Sequence, residues 1–187
     1  MLDIRDELTD IYSNRATGQY GLSDVNQLQH ALQSAALAQQ QGGNADLIVA
    51  ALLHDIGHMI HDLGQDPSRD GIDDTHEELA AAWLQPHFGP AVTEPVRLHV
   101  PAKRYLCATE PDYFGKLSED SVRSLVLQGG LMSPAELKAF EALPYWRDAL
   151  HLRRIDDTAK DPLMVTEPFT YFLRFIDQAL MTSKPMA

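Results

Sequence analysis

The stretch that decides the fold is Leu47 to His61, LIVAALLHDIGHMIH. An apolar pattern of helical length runs into His54-Asp55, and His58 follows four residues after His54, over the same side of a helix. His54 and Asp55 are neighbours, so on a helix they diverge by about 100°, and one metal ion does not readily take both from one face. A carboxylate has two oxygens, however, and Asp55 can bridge two ions while each ion takes a histidine from elsewhere. Three polar groups at the end of a helix apolar enough to be buried are costly unless they are ligated or hydrogen-bonded. The competing reading is a capped helix end with one satisfied core histidine.

Around this stretch lies a chain of 187 residues, 44% hydrophobic and 22% charged, enough for one domain with a sizeable core and hardly enough for two. We expect a single domain over residues 1–187. No apolar run reaches membrane-spanning length. The acidic start, MLDIRDELTD, lacks the basic and apolar regions of a signal peptide, and a lone cysteine, Cys107, allows no internal disulfide. The expected location is cytoplasmic. A net charge of -12, with no basic stripe, argues against nucleic acid as a partner. It also means that an anionic substrate needs a local cluster of positive charge.

Periodicity and punctuation give helices throughout. Leu2–Tyr12 is a short amphipathic helix, followed by the loop NRATGQYGLS. A second helix starts near Ser23 or Asp24, carries His30 and stops at Gly42-Gly43. Asp62–Asp74 is a polar Pro/Gly loop of the kind that covers a site. Thr75 with Glu78 has the form of a capping box, which puts His76 in the first turn of the next helix. Gly89-Pro90 ends that helix. Thr93 then caps a short helix with Pro95 in its first turn and Pro101 at its close. Cys107–Lys116 reads as loop and Ser118–Gln128 as helix. Ser133-Pro134-Ala135-Glu136 is a strong helix start, and Tyr145–Lys160 and Glu167–Met181 complete the set. Nothing alternates with period two, so the fold expected is an all-α, single-domain helical bundle.

Eight histidines are present. Four of them fall with two aspartates in the order His30, His54-Asp55, His76, His99, Asp156, on five expected helices. A bundle builds a metal site in its core in this way, from inward side chains on facing helices. The pattern H…HD…H…H…D resembles the HD-domain superfamily in its dinuclear form, and its spacing is similar to the PhnZ-type phosphonate oxygenases. The resemblance implies two iron ions in a mixed-valent Fe(II)/Fe(III) pair. One would be held by His30, His54, Asp55 and Asp156, the other by His76, His99 and the shared Asp55. Asp156 is preferred to Asp157 because Asp156 to Lys160 fits the D-x-x-x-K pattern of those oxygenases. Imidazole and carboxylate without thiolate suit iron or manganese better than a closed structural zinc site. His61, His87 and His151 have no place in the pattern, and Cys107 reads as an inert buried thiol.

The same resemblance places His58, Lys103, Ser121, Ser124 and Gln128 around a phosphonate. The chemistry is sensible, since a tetrahedral oxyanion needs several donors and these side chains supply them. Helix capping for the serines and a solvated basic pair for Lys103-Arg104 are the plain alternatives. Lys160 is a partner for Asp156 or Asp157. Tyr20 matches a tyrosine that occupies an open iron position until substrate displaces it, so Tyr20, His58 and Lys103 are the catalytic candidates. Family members acting on a free primary amine carry a glutamate three residues after that tyrosine. Here Ser23 stands there, with Asp24 beside it. A trimethylammonium group has no N–H to donate and is held by aromatic faces, so the departure points to the glycine-betaine-forming TmpB branch, unless Asp24 replaces the glutamate. Tyr20, Tyr105, Tyr113 and Trp146 are candidate aromatic walls. The activity implied is cleavage of the C–P bond of a 1-hydroxy-2-(trimethylammonio)ethylphosphonate-type organophosphonate by O2, releasing phosphate and glycine betaine, or glycine from a free amine. The alternatives are an HD-type metal-dependent phosphohydrolase and a degenerate binding module. Six buried polar ligands kept without metal would be destabilising, which weighs against the module.

Overall fold

The computed structural model describes residues 3–16, 24–61, 63 and 67–182. Among them are ten α-helices and no strand: α1 (Ile4–Asn14), α2 (Gln27–Gln40), α3 (Ala45–Leu53), α4 (Gly57–Ile60), α5 (His76–Leu84), α6 (Pro90–Thr109), α7 (Glu119–Leu127), α8 (Pro134–Glu141), α9 (Trp146–Thr158) and α10 (Phe169–Thr182). None is long and apolar enough to cross a membrane.

The core forms around α3, whose residues Leu47 to Leu53 are all buried, as expected of a helix that is apolar all round. Helices α2, α6 and α10 pack against it, and α9 lies across α6 and α2. Asn44 caps α3 by accepting from the Leu47 amide. The helix does not continue to His61. It stops at Leu53, and His54–Ile56 form a turn before α4. Two carbonyls at this break are taken by side chains: Leu52 O accepts from the Tyr12 hydroxyl at 2.6 Å, and Ala51 O from His54 Nδ1 at 2.9 Å. His54 keeps helical backbone angles, φ -59° and ψ -35°, yet its Nε2 lies 3.4 Å from Asp55 Oδ2, so the two neighbouring side chains do face one centre.

Gly57 lies where α4 meets α5. A Cβ there would stand 2.1 Å from the backbone oxygen of His76, so only glycine lets the two segments approach this closely. Gly57→Ala is therefore expected to destabilise the protein by about 1–3 kcal/mol through forced backbone displacement, a fall in Tm of about 2–12 °C for a chain of this size. An unchanged melting curve would mean that the segments are not in contact.

Several boundaries differ from those expected, each for a local reason. Helix α2 is capped by an Asn26/Gln29 box rather than by Ser23 or Asp24. Thr75 makes no side-chain cap bond and takes the left-handed conformation, φ 46°. Helix α6 is one helix of 20 residues running through both Pro95 and Pro101, starting from Gly89-Pro90 rather than from Thr93, and it includes Cys107. Each proline removes an internal bond at a cost of about 3 kcal/mol, but α6 is buried against α3, α5 and α9, and packing outweighs propensity. The Ser133/Glu136 capping box at α8 is present as expected.

Candidate metal centre

Five side chains from distant parts of the chain, His30, His54, His76, His99 and Asp156, gather around Asp55. Its Oδ2 lies 3.4 Å from His30 Nε2 and 3.4 Å from His54 Nε2. Those two nitrogens are 3.2 Å apart, and Asp156 Oδ1 closes the group at 3.4 Å from His30 Nε2. Asp55 Oδ1 faces the other way, 3.4 Å from His76 Nε2 and 3.5 Å from His99 Nε2, and these two nitrogens are also 3.2 Å apart. One carboxylate thus stands between two histidine pairs, one oxygen to each. All six residues are buried.

The imidazoles are oriented from behind. His30 Nδ1 donates to Ala159 O at 2.8 Å, His54 Nδ1 to Ala51 O, and His99 Nδ1 to Val96 O at 2.7 Å. His76 Nδ1 donates instead to a carboxylate oxygen, Asp74 Oδ1, at 2.9 Å. With the proton on Nδ1, each Nε2 presents a bare lone pair to the centre. Gln33 fixes α2 against the chain after α9 by two bonds to the Asp161 backbone, which holds His30 and Asp156 in register.

This donor set fits a pair of cations. Lone pairs facing each other at 3.2 Å beside a carboxylate repel unless a positive charge lies between them. The separations match neighbouring ligands around one ion with bonds of about 2.1 Å. Asp55 Oδ2 is buried and has no hydrogen-bond partner among the described residues. Without an ion, protons fill the gap: burial opposes charge at His30 and His76, yet Asp156 and Asp55 push His30 up to about 9, and Asp55 and Asp74 push His76 up to about 10. His54 is pushed down to about 4, chiefly by burial. Each half of the centre thus calls for one positive charge.

A basic cluster adjoins the first half. Lys103, buried, donates to Ser124 Oγ at 2.7 Å. Burial, aided by the charge of Arg153, pushes Lys103 down to about 7. Arg153 is also buried. It reaches Asp156 Oδ2 at 2.8 Å, Ser121 Oγ at 3.2 Å and the Tyr113 hydroxyl at 3.3 Å, and it pairs with Asp157. The Tyr113 hydroxyl donates to Asp157 as well. The aspartate that faces the histidines is therefore Asp156, with Lys160 3.5 Å from its Oδ1. Ser121, Ser124 and Gln128 share one face of α7, and Gln128 Oε1 is buried without a partner among the described residues. The 3₁₀ turn Pro67–Asp70, a described part of the polar loop, packs on α7. On the other half, His58 stacks on His76 with ring centroids 3.9 Å apart and donates through Nδ1 to Asp74 Oδ2 at 2.8 Å.

Not every expected residue joins the site. Tyr20 and Ser23 lie outside the described residues. Asp24 is exposed, apart from the buried cluster. Tyr105 and Trp146 pack with Phe140 in a separate apolar cluster, where the Tyr105 hydroxyl donates to Glu141 and Arg147 covers Trp146. They do not wall the centre; only Tyr113 of the described aromatic candidates stands near it. Cys107 is half-buried, and burial pushes its thiol up. His151 bonds to Gln41 at the surface, whereas His61 lies 3.3 Å from Asp74 Oδ2. Three residues at the site carry no motif in the sequence: Arg153, Asp74 and Glu77. The first two had a signal, since Arg153 is three and four residues before Asp156 and Asp157 on one helix, and Asp74 is two before His76. Glu77, buried with Oε2 3.7 Å from His76 Nδ1, offered only adjacency.

The family model of the HD domain matches residues 28–127. Over 137 residues, 73% of this chain and 68% of the relative, the sequence is 52% identical to a hydroxymethylphosphonate dioxygenase of Gimesia maris. Over 168 residues, 90% of this chain and 86% of the relative, it is 40% identical to the [1-hydroxy-2-(trimethylamino)ethyl]phosphonate dioxygenase (glycine-betaine-forming) of Leisingera caerulea. It is also 35% identical over 173 residues to an uncharacterized protein of Acanthamoeba polyphaga mimivirus.

Proposed function

The chain belongs to the HD-domain family, and on that premise we propose that it is an O2-dependent phosphonate dioxygenase that breaks the C–P bond of a small 1-hydroxyalkylphosphonate. The observation that carries the reading is Asp55, one buried carboxylate with a histidine pair on each oxygen. Two irons would be held there, by His30, His54, Asp156 and Asp55 on one side and by His76, His99 and Asp55 on the other. When bound, such a pair, mixed-valent on the family resemblance, supplies Lewis acidity and the one-electron chemistry that O2 requires. The protein's own part is to hold the phosphonate. Lys103, Ser121, Ser124 and Arg153 bring donors and charge to one cluster, with Gln128 on the same face of α7, inside an acidic protein. His58 gives its Nδ1 proton to Asp74, so it donates to a phosphonate oxygen through Nε2 only as an imidazolium.

For the substrate itself we favour hydroxymethylphosphonate over the trimethylammonium compound expected from Ser23. A quaternary ammonium wants aromatic faces and no competing cation. Of the described aromatic candidates, Tyr105 and Trp146 are committed elsewhere and Tyr113 stands beside Arg153; Tyr20 lies outside the described residues. The balanced reaction joins hydroxymethylphosphonate dianion and O2 to give formate and dihydrogen phosphate, one oxygen atom entering each product. Phosphate release and O2 uptake, assayed with both compounds, should show the higher kcat/KM with hydroxymethylphosphonate. A preference for the trimethylammonium compound would reverse the substrate assignment. Phosphate release under strict anaerobiosis would replace the dioxygenase with a metal-dependent phosphohydrolase.

Lys103 gives this reading a pH signature. With its ammonium pushed down to about 7, the charge that grips the anion is present below that pH and lost above it. KM is therefore expected to climb as pH rises past about 7. Lys103→Met should remove that limb and raise KM about 10- to 100-fold, the worth of a hydrogen bond to a charged group, with iron content unchanged. A KM limb that survives in Lys103→Met would assign the titration to another group.

A further inference from the structure

We infer that Asp74 is a positioning residue that locks a proposed metal ligand, His76, to the substrate-side imidazole of His58. Of the four imidazoles facing Asp55, three hand their Nδ1 proton to a backbone carbonyl. His76 alone hands it to a carboxylate. The other oxygen of that carboxylate takes the Nδ1 proton of His58 at 2.8 Å, and the two rings lie stacked at 3.9 Å. His61 approaches the same oxygen at 3.3 Å. Its own Nδ1 accepts from the Leu63 amide, and its buried Nε2 makes no hydrogen bond among the described residues. Two imidazoles therefore hang on one side chain, with a third beside it.

The backbone shows that this position is imposed by its surroundings. Thr75, next in the chain, is a β-branched residue at φ 46°, a conformation that costs about 1–3 kcal/mol and persists only where the surroundings over-determine it. The turn carries Asp74 back over the start of α5, where Oδ1 also lies 3.4 Å from the His76 amide. A carboxylate behind a metal-bound imidazole fixes its tautomer and strengthens it as a ligand. Here the same carboxylate also aims His58, so the second ion and the phosphonate grip are set together. In the first half of the centre the Nδ1 protons of His30 and His54 go to backbone carbonyls instead.

The part played by His58 rests on the phosphonate reading, and the test separates the two. Metal-stripped wild type and Asp74→Asn are titrated with Mn(II) against a chelating competitor, and methylphosphonate binding is then measured on the loaded proteins. Asparagine keeps the size but presents an N–H to one of two Nδ1 protons. Wild type is expected to take two ions. Asp74→Asn should keep one at wild-type affinity, bind the second about 10- to 100-fold more weakly, and lose methylphosphonate affinity as well. Two ions bound as in wild type, or equal weakening of both, would overturn the inference. So would a third ion in wild type lost in the variant, which would put a cation among His58, His61 and Asp74. If wild type itself takes fewer than two ions, the metal-pair reading fails; if it takes two but no methylphosphonate, the phosphonate reading fails while the metal limb stands. Should the variant not fold, ¹⁵N-histidine spectra of zinc-loaded wild type decide: the Nδ1 protons of His58 and His76 should both be seen, protected from exchange. Their absence would overturn the role.

Discussion

Asp55→Asn is expected to empty both halves of the metal centre at once, and no other single substitution among the six proposed ligands should do so. The reason is geometric. His30→Ala or Asp156→Ala removes a group from one side and leaves His76, His99 and Asp55 Oδ1 as they were. Asp55 serves both sides, with Oδ2 toward one pair and Oδ1 toward the other. Asparagine has the right size but no charge, and its amide N–H would point at bare Nε2 lone pairs that it can satisfy without any ion. The protein should therefore fold and fail to load. Loss of even an outer partner costs about 10- to 100-fold in affinity; with two sites affected, O2-dependent turnover should fall by roughly 10²–10⁴. Iron per chain, measured after anaerobic loading with Fe(II), should drop from two to well under one, against close to one for His30→Ala. An Asp55→Asn protein that still carries two irons would leave the shared-carboxylate arrangement without a role.

How much of this was legible before folding depends on the kind of signal. The gathering of five residues around Asp55 was, because residue type and order mark them as a set, and so many polar groups are stable together in a core only when something charged is held among them. The caps split. Ser133 with Glu136 formed the box that its spacing announced, whereas Thr75 with Glu78 did not, because Asp74 took over the start of α5 and forced Thr75 left-handed. Asp74 carried only a faint signal, its place two residues before His76: within DDTHEE it otherwise looks like any acidic helix start. Pro95 and Pro101 misled for the opposite reason, since α6 is held by its neighbours rather than by its own propensity. Tyr105 and Trp146 show the weakest kind of inference. An aromatic side chain carries no address, and Phe140 with Leu98, Ala102 and Met132 claimed them for a second apolar cluster.

Arg153→Met is the substitution expected to cost most in stability. Its side chain is 5% exposed, and the guanidinium bonds to two aspartates, a serine and a tyrosine. Burial opposes its charge, but Asp156 and Asp157 more than compensate, so it stays protonated at every working pH. Methionine fills the volume and leaves those carboxylates short of a cation. Asp156 retains Lys160 and the imidazoles, but among the described residues Asp157 retains only the Tyr113 hydroxyl. Breaking a buried pair from one side costs about 3–5 kcal/mol, which corresponds to a fall in Tm of about 6–20 °C. If the stranded charge on Asp157 is the cause, Asp157→Asn in the Arg153→Met background should recover part of the loss, with a coupling of about 0.5–3 kcal/mol. Simple addition of the two single effects would refute the network. The charge has a second, separable consequence. Arg153 helps to push Lys103 down to about 7, so its removal should move the KM limb of Lys103 to higher pH in protein that still folds. A limb that stays at its wild-type position would show that the two cations act on the phosphonate independently.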